Sequence, residues 1–212
     1  MNKLLHKRAL AQAVALGVLA ATLAGCAPLI VGGALVGSGL VITDRRTTGT
    51  QVEDQAIEFK AATRVRELAT LGRVDVVSYN RIVLLTGEVP AAADRAAVEK
   101  VVAGVENVRS VVNELTVGDK PSLVARSGDA VLAGKVKATL VDTKDVQANA
   151  YKVVAERGVI YLMGRVTERE AQRGADVARS VSGVQKVVRV FELLSEAELS
   201  TLGTAAAPSA PR

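Results

Sequence analysis

This sequence predicts an α+β fold built from two tandem copies of one unit, and three observations carry that reading. The segment "NRIVLLTGEVP" (Asn80 to Pro90) lines up with "RGVIYLMGRVT" (Arg157 to Thr167), each with a polar turn, an apolar strand, one glycine and one valine at matched offsets. Further on, "VVAGVENVRSVVNEL" answers "SVSGVQKVVRVFELL", with Gly104 opposite Gly183 and Val108 opposite Val187. Upstream, "DQAIEFKAATRV" from Asp54 parallels "DAVLAGKVKATL" from Asp129. Self-similarity at one spacing marks a repeat, here of about 65 to 70 residues. Each copy reads helix, strand, strand, helix, strand.

Residues 1–25 come first, with Lys3, Lys7 and Arg8 ahead of an almost uncharged run that ends in small residues. That is the pattern of a secretory signal peptide. Its apolar run of roughly 15 residues falls short of the ~20 needed to span a bilayer as a helix. Cys26 is the one cysteine of the chain. A lone thiol in an oxidising compartment has no partner to protect it, so another role is expected. The four residues Leu23-Ala24-Gly25-Cys26 resemble the bacterial lipobox. That resemblance implies a diacylglycerol on the Cys26 sulfur, cleavage before it, and an N-acyl chain such as palmitate on the new amino terminus. Ala27 stands where an aspartate would imply retention in the inner membrane, so the resemblance implies the outer membrane. Residues 26–52, with "LIVGGALVGSGLVITD", are expected to be an apolar, glycine-rich tether; Gly33 and Gly37 have helix-pairing spacing, but the run is short for a span.

The first copy is expected over residues 53–118 and the second over 128–195, joined by a linker at 119–127 whose Pro121 leaves their relative orientation open. Asp54 and Asp129 are placed as helix N-caps. In the second copy the helix runs from Asp129 to about Val141, and Tyr151, Val153 and Ala155 alternate as a strand. Arg157-Gly158 makes a turn into a strand from Val159 to Met163. Thr167 and Glu170 form a capping box, opening a helix whose Ala171, Gly174, Ala175 and Ala178 suit close packing. Gly183 stops it, and Val187 to Leu194 is the last strand. The first copy follows the same plan, with Pro90 near its second helix. Residues 196–212, ending "GTAAAPSAPR", are expected to be disordered.

Composition excludes most enzyme chemistry. Cleavage before Cys26 removes His6, the one histidine, and three positive charges, lowering the formal net charge from +5 to +2. Without histidine, tryptophan or a free thiol, the remainder lacks the commonest general base, the cysteine nucleophile and the usual zinc ligands. No catalytic residue and no metal ligand set is expected, and no cofactor beyond the acyl groups on Cys26. The basic excess is local. Residues 54–117 carry 8 Lys/Arg against 9 Asp/Glu, whereas residues 128–194 carry 11 against 8. An anionic membrane surface attracts such a domain by about 1 kcal/mol per well-placed cation.

On a helical wheel, Leu132, Val136 and Leu140 share an arc of about 80° and face the core. The opposite arc holds Val131, Gly134, Ala138 and Val141, flanked by Lys135, Lys137 and Lys144, which suits a helix lying shallowly among lipid headgroups. In the first copy, Thr63 and Arg66 are expected to break that strip.

The pattern of a capped helix, "VIYLMGRV", a small-residue helix and "GVQKVVRVFEL" resembles the BON domain (bacterial OsmY and nodulation). With the lipobox, tether and "TDRRTTGTQVEDQ" ahead of two such units, the chain resembles the dual BON-domain outer-membrane lipoproteins. The resemblance implies a three-stranded mixed sheet with two helices on one face in each domain. It also implies a non-enzymatic periplasmic role in outer-membrane integrity, at the division site, with anionic phospholipid such as phosphatidylglycerol or cardiolipin bound through the second domain, and no nucleic acid. Where that family's lipid-contacting helix can carry a tryptophan, this chain has Val131, which buries less area and lacks the indole's interfacial preference. A protein adaptor for cell-wall amidase regulation or envelope assembly is the alternative, with periplasmic proteins as partners.

Overall fold

The computed structural model describes residues 44–68, 72–119 and 122–205. The expected signal peptide, Cys26 and most of the tether lie outside the described residues. The first copy contains helix α1 (Thr48–Glu67), strands β1 (Arg73–Tyr79) and β2 (Ile82–Val89), helix α2 (Ala92–Ala103), strand β3 (Ser110–Asn113) and the short β4 (Thr116–Val117). The second contains α3 (Leu123–Asp142), a 3-10 turn at Ala148–Ala150, β5 (Tyr151–Glu156), β6 (Val159–Val166), α4 (Glu168–Arg179) and β7 (Lys186–Leu193), followed by α5 (Glu196–Ala205).

Each copy pairs its first two strands as an antiparallel hairpin and returns through a helix to lay the third strand parallel to the middle one. The sheets therefore run β1-β2-β3, with β4 continuing alongside β2, and β5-β6-β7. The hairpins use two-residue turns in which both residues have positive φ: Asn80 and Arg81, then Arg157 and Gly158. Such turns match the twist of the strands they join. Both sheets also need a glycine on the middle strand: a Cβ at Gly87 would meet Arg73 O at 2.2 Å, and one at Gly164 would meet Ala150 O at 2.3 Å.

Two boundaries differ from the sequence reading, each for a local reason. Thr47 and Ser122, rather than Asp54 and Asp129, are the N-caps: the Thr47 hydroxyl accepts from Thr50 N (3.1 Å) and that of Ser122 from Ala125 N (3.2 Å). Each aspartate sits inside its helix and clamps a hairpin turn. Asp54 accepts from Asn80 N (2.7 Å), Arg81 N (2.8 Å) and Ser78 Oγ (2.6 Å), and Asp129 accepts from Arg157 N and Gly158 N (both 2.9 Å). The tail expected to lack structure instead begins with α5. There Ser195 Oγ accepts from Glu198 N while Glu198 Oε2 accepts from Ser195 N.

The capping box at α4 is present, with Thr167 Oγ1 accepting from Glu170 N (3.4 Å) and Glu170 Oε2 from Thr167 N (2.9 Å). One turn on, the Tyr151 ring lies so close to Gly174 that a Cβ there would meet it at 2.5 Å. In each copy both helices pack on one face of the sheet. Ile57, Ala61, Val65, Val98 and Val102 meet Val83, Leu85 and Val89 in the first, and Leu132, Val136, Leu140, Ala171 and Ala178 meet Ile160, Leu162 and Val166 in the second.

The opposite faces of the two sheets pack on each other. Tyr79, Leu84, Tyr161, Met163 and Val190 form a third buried cluster, with Val77, Ile82, Val112, Val154, Val159 and Val188 at its margin. A strand buried on both faces is apolar at odd and even positions alike, as "VIYLMGRV" is. Charged pairs rim this joint. Arg157 Nε donates to Glu88, Arg73 to both oxygens of Glu156 (3.0 Å), Lys152 Nζ to Glu58 (2.9 Å) and Arg109 to Glu192 (2.7 Å). The two copies thus share one layered body, helices outside and two sheets within, and the orientation left open by Pro121 is set by the sheets.

Candidate functional site

Helix α3 is longer than its sequence suggested, and the extra turn and a half at its start carry Leu123 and Val124. Its core stripe is Leu132, Val136 and Leu140, all buried. Residues seven apart return to nearly the same face after two turns, so Val124, Val131 and Ala138 form an outward row. Val124 is 82% exposed, Leu123 74% and Val131 59%, and Val141 is likewise open to solvent. Gly134, Lys135, Ala138 and Lys144 are also exposed. Six of the seven residues assigned to this surface thus stand on the outside, together with Leu123 and Val124. Those two escape a reading that starts the helix at Asp129; the Ser122 cap is the signal that would have found them.

Lys137 is the exception. Its Nζ donates to Ala148 O (2.6 Å) and Tyr151 O (3.1 Å), and burial pushes its pKa down. This ammonium is committed to the carbonyls at the start of β5, and Lys135 and Lys144 are left as the outward cations of the surface.

The first copy is not free of exposed apolar groups. Val52 and Phe59 project from α1, Phe59 with 72% of its surface exposed. Phe59 occupies the position that matches Gly134 in the repeat, so the strip expected to be broken by Thr63 and Arg66 has an aromatic at its centre.

The segment that leads in from the tether is fastened next to α3. Arg45 makes a two-pronged pair with Glu170 (2.7 Å each) and donates to Arg165 O (2.8 Å), while Arg165 returns a bond to Arg45 O (3.0 Å). Arg46 pairs with Asp44 and Asp54 and lies 4.0 Å over the Tyr79 ring. Burial opposes ionisation of Glu170, but Arg45 and the Thr167 amide outweigh it and hold the carboxyl below its usual range. Asp44 and Arg46 share a cavity of about 430 Å³ with Ala133, Gly134 and Lys137 of α3. The chain therefore enters the described body beside the outward face of α3.

Among the described residues, no group of His, Cys, Asp and Glu side chains could hold a metal ion, and no helix is long and apolar enough to cross a membrane.

Comparison with known proteins supplies the relationship. Residues 53–119 and 128–194 each match the BON domain. The chain is 42% identical over 175 residues to the outer membrane lipoprotein DolP of Haemophilus influenzae, covering 81% of this chain and 90% of that protein. It is 35% identical over 151 residues to the 21 kDa hemolysin of Actinobacillus pleuropneumoniae, covering 70% and 78%. It is 30% identical over 144 residues to the osmotically-inducible protein Y of Escherichia coli, covering 66% and 72%.

Proposed function

The chain belongs to the BON domain family, as a DolP-like protein with two such domains, and from that premise we propose that it is a non-enzymatic module that holds anionic phospholipid against helix α3. It is an outer-membrane lipoprotein of that family. The finer reading is that Cys26 carries the acyl chains, that α3 lies among headgroups of phosphatidylglycerol or cardiolipin, and that the protein supports outer-membrane integrity at the division site. The observation that carries it is the exposed row Leu123, Val124, Val131, Ala138 and Val141, edged by Lys135 and Lys144.

The magnitudes fit a surface assisted by a tether. A diacylglycerol plus an N-acyl chain on Cys26 exceeds the two lipid signals that stable anchoring requires. The 18 residues from Cys26 to Asp44 reach at most about 60 Å when extended. Held at that distance, α3 meets the bilayer at an effective concentration of the order of millimolar. A valine-based surface of low intrinsic affinity is then sufficient.

The test uses a fragment of residues 41–212, which retains all three apolar clusters. It is expected to co-sediment with phosphatidylglycerol or cardiolipin vesicles in preference to phosphatidylcholine. Lys135→Glu with Lys144→Glu reverses two charges, a change of four, and should weaken that binding roughly a thousandfold, and Val131→Glu should weaken it with an unchanged circular dichroism spectrum. Parent and variants that bind alike would refute the surface. In cells, Cys26→Ser should release the protein from the membrane fraction.

A second reading, an adaptor for a periplasmic protein of cell-wall amidase regulation or envelope assembly, is favoured by exposed Phe59 and Val52. On that reading Phe59→Glu leaves vesicle binding intact and abolishes a photo-crosslink placed at Gln55.

A further inference from the structure

The two copies enclose a groove that meets the lipid-facing row at Leu123. One cavity of about 410 Å³ is lined by Ala62, Val65 and Arg66 of α1, by Arg73 and Val74 of β1, and by Arg126 of α3. A second, of about 450 Å³, is lined by Leu123, Arg126, Ala130 and Ala133 of α3 and by Arg73 and Glu156. Arg73 and Arg126 belong to both cavities, so the two adjoin each other at the junction of the domains.

The charges in this groove do not cancel. Arg73 is occupied by Asp75 and by both oxygens of Glu156. Asp129, at the groove wall, spends its carboxylate on the Arg157 and Gly158 amides. Among the described residues, Arg66 donates to the Thr63 hydroxyl (3.0 Å) and pairs with no carboxylate, and the Arg126 guanidinium has neither a carboxylate nor a hydrogen-bond partner. Two cations from different domains thus border one cavity, and the acids beside them are already taken. Guanidinium groups favour phosphate oxygens because their paired N–H groups match that geometry. On α3, Leu123 lies one turn before Arg126 and Ala130 and Ala133 lie one and two turns after it, beside the polar Ser127 and Asp129, and the exposed Val124 adjoins Leu123. A cation with Leu123 and Val124 beside it at the start of α3 suits a phosphate that carries hydrocarbon chains. An acidic peptide would leave Leu123 and Val124 in water.

We propose that this groove binds the phosphate of a single anionic phospholipid between Arg66 of the first domain and Arg126 of the second, with the acyl chains leaving along Leu123 and Val124. The inference rests on the lipid reading of α3 and deepens it. The first domain becomes part of the headgroup site, and lipid capture depends on the two domains keeping their joint.

The experiment titrates the 41–212 fragment with dihexanoyl phosphatidylglycerol below its micelle concentration, following arginine Nε–Hε signals by NMR. Shifts confined to Arg66 and Arg126 are expected, with little response to inorganic phosphate or glycerol phosphate at equal concentration. Arg66→Gln with Arg126→Gln should abolish them and weaken binding to phosphatidylglycerol vesicles roughly thirtyfold. Lys100→Gln with Lys186→Gln removes the same charge from other surfaces and should leave both measurements near parent. The groove is refuted if the arginines do not respond to the monomeric lipid, if inorganic phosphate shifts them as strongly, if an Asp/Glu peptide binds there and the lipid does not, or if the lysine control weakens vesicle binding as much. The α3 surface fails separately, if parent fragment ignores anionic vesicles while the monomeric lipid still moves Arg66 and Arg126.

Discussion

Asp54 and Asp129 show at the level of single residues how one repeat unit closes. Each carboxylate, fixed within a helix, takes the two amides of a positive-φ hairpin turn, and so joins helix to sheet across 26 to 29 residues of chain. Asp54 also takes the Ser78 hydroxyl and Arg46. Burial opposes its ionisation, yet these partners keep its pKa below the ordinary aspartate value. Asp129→Ala removes the acceptor from two amides and should cost about 3 kcal/mol, the low end for two hydrogen bonds to a charged group at about 1.5–3 kcal/mol each. Alanine's better helix propensity returns roughly 0.5 kcal/mol of that. Asp54→Ala should cost more, about 3 to 4 kcal/mol, because it also strands Arg46 and Ser78 in a buried site. Urea unfolding of the two variants measures both, and an Asp129→Ala protein within about 0.5 kcal/mol of parent would refute the clamp.

Among the elements, α3 combines a buried stripe with an outward row, and its two interior glycines are not required by packing. A Cβ at Gly134 would meet nothing within 4 Å, and Gly134 is not among the positive-φ glycines. Gly134→Ala should therefore raise stability by about 0.5–1 kcal/mol while leaving vesicle binding at or slightly above parent. Thermal melts and co-sedimentation check the two halves, and a loss of stability would mean that the helix is strained there. Much of α3 was legible in the sequence. Leu132, Val136 and Leu140 marked its core face, and the repeat with α1 marked its place in the fold. Its start was not legible, because an aspartate that clamps a distant turn has the same identity as one that caps a helix, and only the location of the turn separates them. Nor was the role of Lys137, whose carbonyl partners belong to the following 3-10 turn and strand. Phe59 was readable as an exposed aromatic, but a strip judged by its polar members Thr63 and Arg66 conceals it.

At the scale of the whole molecule, β2 and β6 carry apolar residues of both parities, as strands covered on two sides do, and the sequence does not say what covers the second side. The structure answers with the other copy: Leu84 and Met163 are fully buried where sheet meets sheet. The rim of that joint should respond to acid in a defined order. Burial opposes ionisation of Glu170 and Glu192, but Arg45 with Thr167, and Arg109 with Asn80 and Arg165, hold both below the ordinary glutamate range. The stability they contribute is present above about pH 4.5 and is lost as pH falls through their lower folded values. Glu156 runs the other way. Burial raises its pKa in spite of Arg73, so its ionised form costs stability, and that cost is relieved as pH falls from the raised folded value toward 4.5. The melting temperature should accordingly change little, or rise slightly, from about pH 7 to about pH 5 and then drop steeply toward about pH 3. Arg45→Gln separates the Glu170 share from other acids. At neutral pH it leaves a largely buried carboxylate without its cation and should cost about 3 kcal/mol. Once pH has fallen through the lowered folded value of Glu170, where the carboxyl is protonated in either protein, the cost should shrink markedly. Calorimetric melts of parent and variant across that range decide it, and a constant difference between them at every pH would show that Arg45 does not fasten the lead-in segment through the charge of Glu170.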